Sequence, residues 1–323
     1  MTRTRLSELA RGPPTTASFQ FIDSPPNHDG NLLYYAGVLA PEAQFSDAKL
    51  NPAKKTVYDV PVKDLRGSEL FLSLEDHGLQ FLPFPYHLSL RVDSDKQEIL
   101  SYINSINIMV KKLLKAELVF TFDYKFRRNM NYMGESDFNQ ILKDLALTND
   151  RSIADPASFM THVDATPAGA MRRLRRYLSD KESKEYLDHP ERYRIRIINV
   201  WRPIERAVFD RPLGLLDYFS TVPEDYVKVQ FHTSTENVGE VYWLRYNKNQ
   251  QWYYINSHTP EELLVFLNYD SDYGDGPKCE FSLPPPGLIR DRTDTLKAFP
   301  IAPFSILTTR NRAIGKVWSY ALL

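Results

Sequence analysis

The chain has 323 residues, enough for one large all-β or mixed domain or two ordinary ones. With 42% hydrophobic and 13% aromatic residues it can fill a packed core, which excludes disorder as the expectation. Forty basic and 41 acidic residues nearly cancel, so nothing in the balance points to nucleic acid or an anionic membrane. The one cysteine, Cys279, excludes an intramolecular disulfide, and no Cys/His cluster has structural-zinc spacing. The N-terminal stretch carries Arg3, Arg5 and Arg11 but no apolar segment, so no signal peptide is expected. No run of about 18 apolar residues occurs, so the sequence reads as soluble and cytoplasmic.

Residues 1–30 are Pro-rich and polar, and only Phe19–Ile22 reads as a short strand. Residues 1–18 are therefore expected to be an arm laid over a single domain spanning 19–323. Thr56–Val62 and Leu70–Leu74 read as strands, with Asp64–Gly67 as the turn between them. From Asp95 to Lys115, apolar Ile99, Ile103, Ile106, Val110, Leu113 and Leu114 share one helix face, and Asp95 with Glu98 forms a capping box. A strand follows over Ala116–Tyr124. Residues 127–158 are polar, with a helix expected at Asp137–Leu147, and are a candidate lid.

Further on, Pro167–Leu178 is an amphipathic helix with a basic face of Arg172, Arg173, Arg175 and Arg176. Solvation and ion pairing explain such a face, and so does a grip on an anionic substrate. Strands are expected at Tyr193–Trp201, Val227–His232, Glu240–Tyr246 and Gln251–Ile255. Pro260–Tyr269 reads as a helix start running into a strand, and Leu264–Leu267 fits either. Asp270–Pro286 is loop, and the apolar stretch Leu296–Leu307 is broken by Pro300 and Pro303. Many short strands with helices mostly in the first half predict an α+β, mainly β fold: a double-stranded β-helix (jelly-roll) core with flanking helices.

The chemistry-bearing stretch is Thr161-His162-Val163-Asp164. Side chains two apart on an extended backbone lie on one face, so His162 and Asp164 can turn to one point. An imidazole and a carboxylate so placed are two-thirds of a 2-His-1-carboxylate triad for non-heme iron.

Several stretches together resemble the fungal gibberellin GA4 desaturase-like family, which includes the aspergillic-acid-type hydroxylase/desaturase and is related to the CmcJ proteins. They are Val62–Glu69, Asp76–Gln80, His162–Pro167, Asn199-Val-Trp-Arg-Pro-Ile204, Asp210–Leu213 with Asp217, Trp252–Tyr254, Glu261-Glu262 and Tyr269–Ser271. The resemblance runs over about residues 19 to 300. It implies a jelly-roll fold, Fe(II), 2-oxoglutarate and oxidative tailoring of secondary metabolites. His162 and Asp164 match the first two iron ligands. The third, a histidine in a Pro-His-x-x-Phe stretch, falls on Pro277-Lys278-Cys279-Glu280-Phe281, so Lys278 stands in its place. A lysine ammonium has three donors and no lone pair. Arg292 is the residue implied for the 2-oxoglutarate carboxylate, with Asp291 and Asp294 competing for it.

With that ligand replaced, the sequence favours redox-neutral chemistry without a cofactor, a cyclisation or isomerisation of an apolar small molecule. His162, Asp164 and Lys278 would be the catalytic groups, and Trp201, Arg202, Trp252, Tyr254 and Arg292 would bind substrate. The alternative is an Fe(II)/2-oxoglutarate hydroxylase or desaturase completed by another group such as His258. A catalytically silent binding partner of a homologue is the third possibility. Substrate identity and oligomeric state are not written in the sequence.

Overall fold

The computed structural model describes residues 4–10, 12, 14–23, 33–36, 52–84, 90, 94–124, 127–128, 155–156, 160–204, 206–209, 211–232, 238–273, 280–282 and 300–309. The first helical turn, Leu6–Leu9 (α1), buries Leu6 and Leu9 in the main core. Ser68 Oγ donates to the Leu9 carbonyl at 2.5 Å, which ties this turn to the domain. Strands Thr15–Ile22 (β1), Leu33–Ala36 (β2) and Lys54–Asp64 (β3) follow. The turn after β3 is built by Asp64, whose Oδ1 accepts from the backbone N–H of Arg66 at 2.9 Å and of Asn256 at 3.0 Å. Gly67 takes the left-handed φ of 85° that the turn requires.

Leu70–Leu74, expected as a strand, is a 3-10 turn at Glu69–Phe71 followed by a short helix, Leu74–His77 (α2). Two end signals outweigh the apolar run. The Ser73 hydroxyl accepts from Asp76 N, and Gly78 closes the turn at φ 72°. Leu70 is 97% exposed, so its apolar character buys no burial there.

Next come Leu79–Pro83 (β4), the long helix Lys96–Leu114 (α3) and Leu118–Thr121 (β5). Asp95 and Glu98 make the expected capping box, and Ile99, Ile103, Ile106 and Val110 are buried along one face. The expected helix at Asp137–Leu147 lies outside the described residues. So does most of the 127–158 stretch, except the paired two-residue strands Arg127–Arg128 (β6) and Asp155–Pro156 (β7).

The second half contains His162–Val163 (β8), helix Pro167–Tyr177 (α4), Tyr193–Trp201 (β9), Gly214–Leu216 (β10), Tyr226–His232 (β11) and Val238–Leu244 (β12). It ends with Trp252–Tyr254 (β13), Glu262–Asp270 (β14), Glu280–Ser282 (β15) and Pro300–Thr309 (β16). The Pro260–Tyr269 stretch is thus strand from Glu262 onward, where its apolar run is buried between β4 and β9. Pro300 and Pro303 do not break β16. The first is the strand's opening residue and the second lies in a register shift between Ile301 and Phe304, the two places where a missing N–H is tolerated.

Among the described residues the strands form a nine-stranded sheet, β1-β3-β13-β10-β15-β8-β12-β11-β2, and a five-stranded sheet, β4-β14-β9-β16-β5. Both sheets are mainly antiparallel, and the first is mixed through its β11–β2 and β13–β3 pairs. The largest core cluster joins them, with Leu215 and Tyr253 from the nine-stranded sheet packing with Ile198, Val200, Leu264 and Phe266 from the other, under α3. The fold is α+β, mainly β.

Helix α4 sits against β12 at a glycine. A Cβ on Gly169 would run into the Glu240 main-chain oxygen and carbonyl carbon. Gly169→Ala is therefore expected to push the helix off β12 and destabilise the fold by about 2 kcal/mol, as for other overpacked sites. Urea unfolding would check this, and an unchanged midpoint would refute the close-approach argument.

Candidate functional site

The segment carrying His162 and Asp164 is fixed on every side before any site chemistry is considered. Thr161 donates twice to the Gln20 carbonyl, through N at 2.9 Å and Oγ1 at 2.8 Å. Val163 and His162 pair with Tyr242 and Trp243 of β12, and His162 also stands opposite Phe281 of β15. Thr166 N donates to the Glu240 carbonyl at 3.0 Å. The Thr166 hydroxyl then caps α4 by accepting from Gly169 N, and donates to the Glu240 carboxylate. Only Asp164 and Ala165 separate strand from cap, so the backbone at the site has little freedom.

His162 and Asp164 face each other, with Nε2 3.2 Å from Oδ1. The His162 tautomer follows from its neighbour. Nδ1 is 2.6 Å from the Met160 carbonyl, which can only accept, so Nδ1 carries a proton; Nε2 faces Asp164, donating to it when the ring is charged and offering a lone pair when the ring is neutral. The other carboxylate oxygen, Oδ2, accepts from Asn199 Nδ2 at 2.7 Å and Asn268 Nδ2 at 3.0 Å. Burial alone would raise the Asp164 carboxyl. The hydrogen bond and charge of His162, the Asn199 amide and the Arg173 charge instead hold it well below the usual carboxylate range. It is an anion at neutral pH.

The two asparagines come from the five-stranded sheet, Asn199 on β9 and Asn268 on β14. Because a carboxylate only accepts, both amides must turn their NH2 groups to it. Their Oδ1 atoms are then buried without a hydrogen-bond partner among the described residues. Each such acceptor costs about 1–3 kcal/mol, so the arrangement favours Asp164 at the expense of its supports. Sequence reasoning quoted Asn199 only as part of a run and passed over Asn268. The signal was available: each is a lone amide in or ending an otherwise apolar run, Ile197-Ile-Asn-Val-Trp201 and Leu263-Leu-Val-Phe-Leu-Asn268.

Of the other sequence-predicted residues, Lys278 and Arg292 lie outside the described residues. Trp201, Arg202 and Trp252 are enclosed in the core. Trp201 leans on His258, with ring centroids 4.7 Å apart. Arg202 lies over the Phe84 ring and donates to Tyr102 OH at 3.2 Å. Trp252 stacks on Phe19 at 4.3 Å. Tyr254 is half-buried, and burial followed by the Asp64 charge raises its pKa. None of the four makes a described contact with His162 or Asp164.

His258, considered as a substitute ligand, is a core residue. Nε2 donates to the Glu262 carbonyl at 2.9 Å, and the ring is wedged between Trp201 and Phe81. Among the described residues no group of three His, Cys, Asp or Glu side chains could hold a metal. The described donor set is the His162–Asp164 pair, and it fits a first-row divalent ion. Ligands at right angles on bonds of about 2.1 Å stand about 3.0 Å apart, close to the 3.2 Å seen here.

The imidazole–carboxylate pair thus sits at the end of β8, where the two sheets meet. Residues 19–283 match the model of the oxidoreductase/YMDC permease-like domain family, and the chain belongs to that family. It is 24% identical over 249 residues to the alpha-ketoglutarate-dependent dioxygenase tstK of Talaromyces stipitatus, covering 76% of this chain and 81% of that one. It is likewise 24% identical to the Fe(II)/2-oxoglutarate-dependent dioxygenase nvfI of Aspergillus novofumigatus, over 78% and 84% of the two chains. The hydroxylase/desaturase CTB9 of Cercospora beticola is 24% identical, over 66% and 65%. The solved structure of the iron and alpha-ketoglutarate-dependent endoperoxidase NvfI superposes with a TM-score of 0.71 at 21% identity, over 92% of this chain and 99% of that one. The two share a fold. No described helix is long and apolar enough to cross a membrane.

The placement of His258 has a measurable consequence. Burial, against the opposing pull of the Glu262 carbonyl and charge, lowers its pKa from 6.5 to about 4. The unfolded chain therefore binds more protons than the folded one between these values. The stability tied to neutral His258 is full above pH 6.5 and is lost as pH falls toward 4, by about 3 kcal/mol. His258→Gln should flatten this part of the acid-stability profile, read by urea unfolding at pH 7 and pH 4. An equally steep profile in the variant would show that His258 is not held neutral.

Proposed function

We propose that the protein is an Fe(II)/2-oxoglutarate-dependent oxidative tailoring enzyme, a hydroxylase or desaturase of an apolar small molecule, on a jelly-roll scaffold. The supporting observation is the construction of the His162–Asp164 pair, with one tautomer fixed, one carboxylate oxygen clamped by two amides, and Nε2 and Oδ1 at a ligand-edge separation. Relatives named as dioxygenases and a hydroxylase/desaturase support the same reading. In this reading His162 and Asp164 hold the iron, which when bound with 2-oxoglutarate supplies the oxidising chemistry. The work of the chain's own residues is positional. Met160 orients the imidazole, Asn199 and Asn268 keep Oδ2 occupied so that Oδ1 faces His162, and the β8–α4 junction prevents the pair from drifting apart. Arg292 is proposed for the 2-oxoglutarate carboxylate.

A second reading is carried by one observation, Lys278 in the place of the third histidine. Redox-neutral cyclisation or isomerisation would then use Lys278 as a donor to a substrate carbonyl and the His162–Asp164 pair as acid or base.

Anaerobic Fe(II) titration followed by 2-oxoglutarate separates the two. The oxygenase should bind one iron per chain, show the weak visible band of an iron–2-oxoglutarate complex and, in air, release succinate. His162→Ala or Asp164→Ala should weaken iron binding at least tenfold. No retained iron, together with anaerobic turnover in chelator that Lys278→Ala impairs, would replace this reading with the redox-neutral one.

A further inference from the structure

Two arginines on the basic face of α4 have described carboxylate partners, and Arg173 has none among the described residues. Arg172 reaches the Glu240 carboxylate at 3.6 Å, and Arg175 reaches Asp188 at 3.0 Å. Arg173 makes no ion pair among the described residues. Its guanidinium gives one long hydrogen bond, Nη2 to the Asp164 main-chain oxygen at 3.4 Å, and lies over the Phe122 ring at 5.2 Å. It is half-buried, and its charge acts on the Asp164 carboxylate. Phe122, also half-buried, stacks on Tyr177 at 5.5 Å with an interplanar angle of 27°. The guanidinium is thus held by its face on an aromatic ring, one hydrogen bond from the main chain of Asp164, with most of its five N–H donors uncommitted among the described residues.

The charge that balances Arg173 is the Asp164 carboxylate, whose oxygens are already engaged by His162, Asn199 and Asn268, so the half-buried guanidinium keeps donors for a second acceptor. The planar fork of donors matches a carboxylate, which it can take bidentately. The adjoining half-exposed aromatic pair offers an apolar surface beside that fork. We propose that Arg173 is the carboxylate-recognition residue of this site, taking the carboxylate of a small molecule whose apolar part lies against Phe122. The proposal rests on His162 and Asp164 being the reaction centre. The carboxylate has two possible sources, an apolar acid as substrate or 2-oxoglutarate itself. A purely structural role, in which Arg173 only balances Asp164, would leave carboxylate binding indifferent to it.

The test is calorimetric titration of three probes into wild type, Arg173→Gln and Arg175→Gln. The first probe is 2-naphthoate, the second the neutral 2-naphthalenemethanol, and the third 2-oxoglutarate with Mn(II). Wild type and Arg175→Gln should bind 2-naphthoate at least tenfold more tightly than the alcohol. Arg173→Gln should lose that preference while keeping its Mn(II) affinity and its unfolding midpoint. If 2-oxoglutarate binding falls tenfold and naphthoate binding does not change, the carboxylate is that of the cosubstrate. If 2-naphthoate and 2-oxoglutarate both bind Arg173→Gln as they bind wild type, the proposal is overturned. Mn(II) affinity, read separately in His162→Ala, reports on the metal reading. Its failure would leave an Arg173-dependent naphthoate preference standing.

Discussion

The structure turns on one carboxylate. Asp164 stands at the end of a two-residue strand in one sheet, and its outer oxygen is held by amides from two strands of the other. A carboxylate withdrawn from water without such partners would take up a proton or force its surroundings open. With two amide donors, an imidazole and a nearby guanidinium, it stays charged at neutral pH. The same hydrogen bonds hold the two sheets in register at this point. A partly exposed anion is thereby part of what fixes the alignment of the two sheets.

That arrangement divides labour between the sheets. The nine-stranded sheet carries the atoms proposed to face the chemistry, His162 Nε2 and Asp164 Oδ1. The five-stranded sheet carries the atoms that aim them. Neither sheet alone forms the site, so its geometry depends on the packing of Ile198, Val200, Leu264 and Phe266 against Leu215 and Tyr253. Arg194 and Arg196 of β9, both paired with the fully buried Asp270 of β14, lock the neighbouring rungs of the same two strands. Slippage of β9 against β14 would cost those ion pairs as well as the amide clamp.

How much of this was legible in the sequence depended on whether the deciding interactions were local. The α3 capping box and the Asp64–Gly67 turn involve residues within a few positions of one another, and both read correctly. The strand period alone said that His162 and Asp164 could converge. Leu70–Leu74 was misread because its apolar content suggested a sheet, while Ser73 and Gly78 had already set the backbone to turn. The asparagine clamp was illegible for the opposite reason. Asn199 and Asn268 are 35 and 104 residues from Asp164, so only the fold brings them together. What the sequence could show was the anomaly, a lone amide in or ending each of two apolar runs.

Those anomalies, with Arg173, share one physical character. Each is a polar group whose own donors or acceptors are left only partly satisfied among the described residues while it serves Asp164. A leucine at 199 or 268 would bury more apolar surface and leave no orphaned carbonyl. A glutamine at 173 would spare the half-buried cation. The cost of all three is offset only because Asp164 is kept as an anion. Taken with a histidine whose tautomer is fixed by a main-chain carbonyl, they describe a site in which local stability has been exchanged for the orientation of two atoms and the placement of one charge. Such exchanges are expected where a protein must hold reacting groups still, and they support the proposal that puts the reaction centre at the junction of β8 and α4.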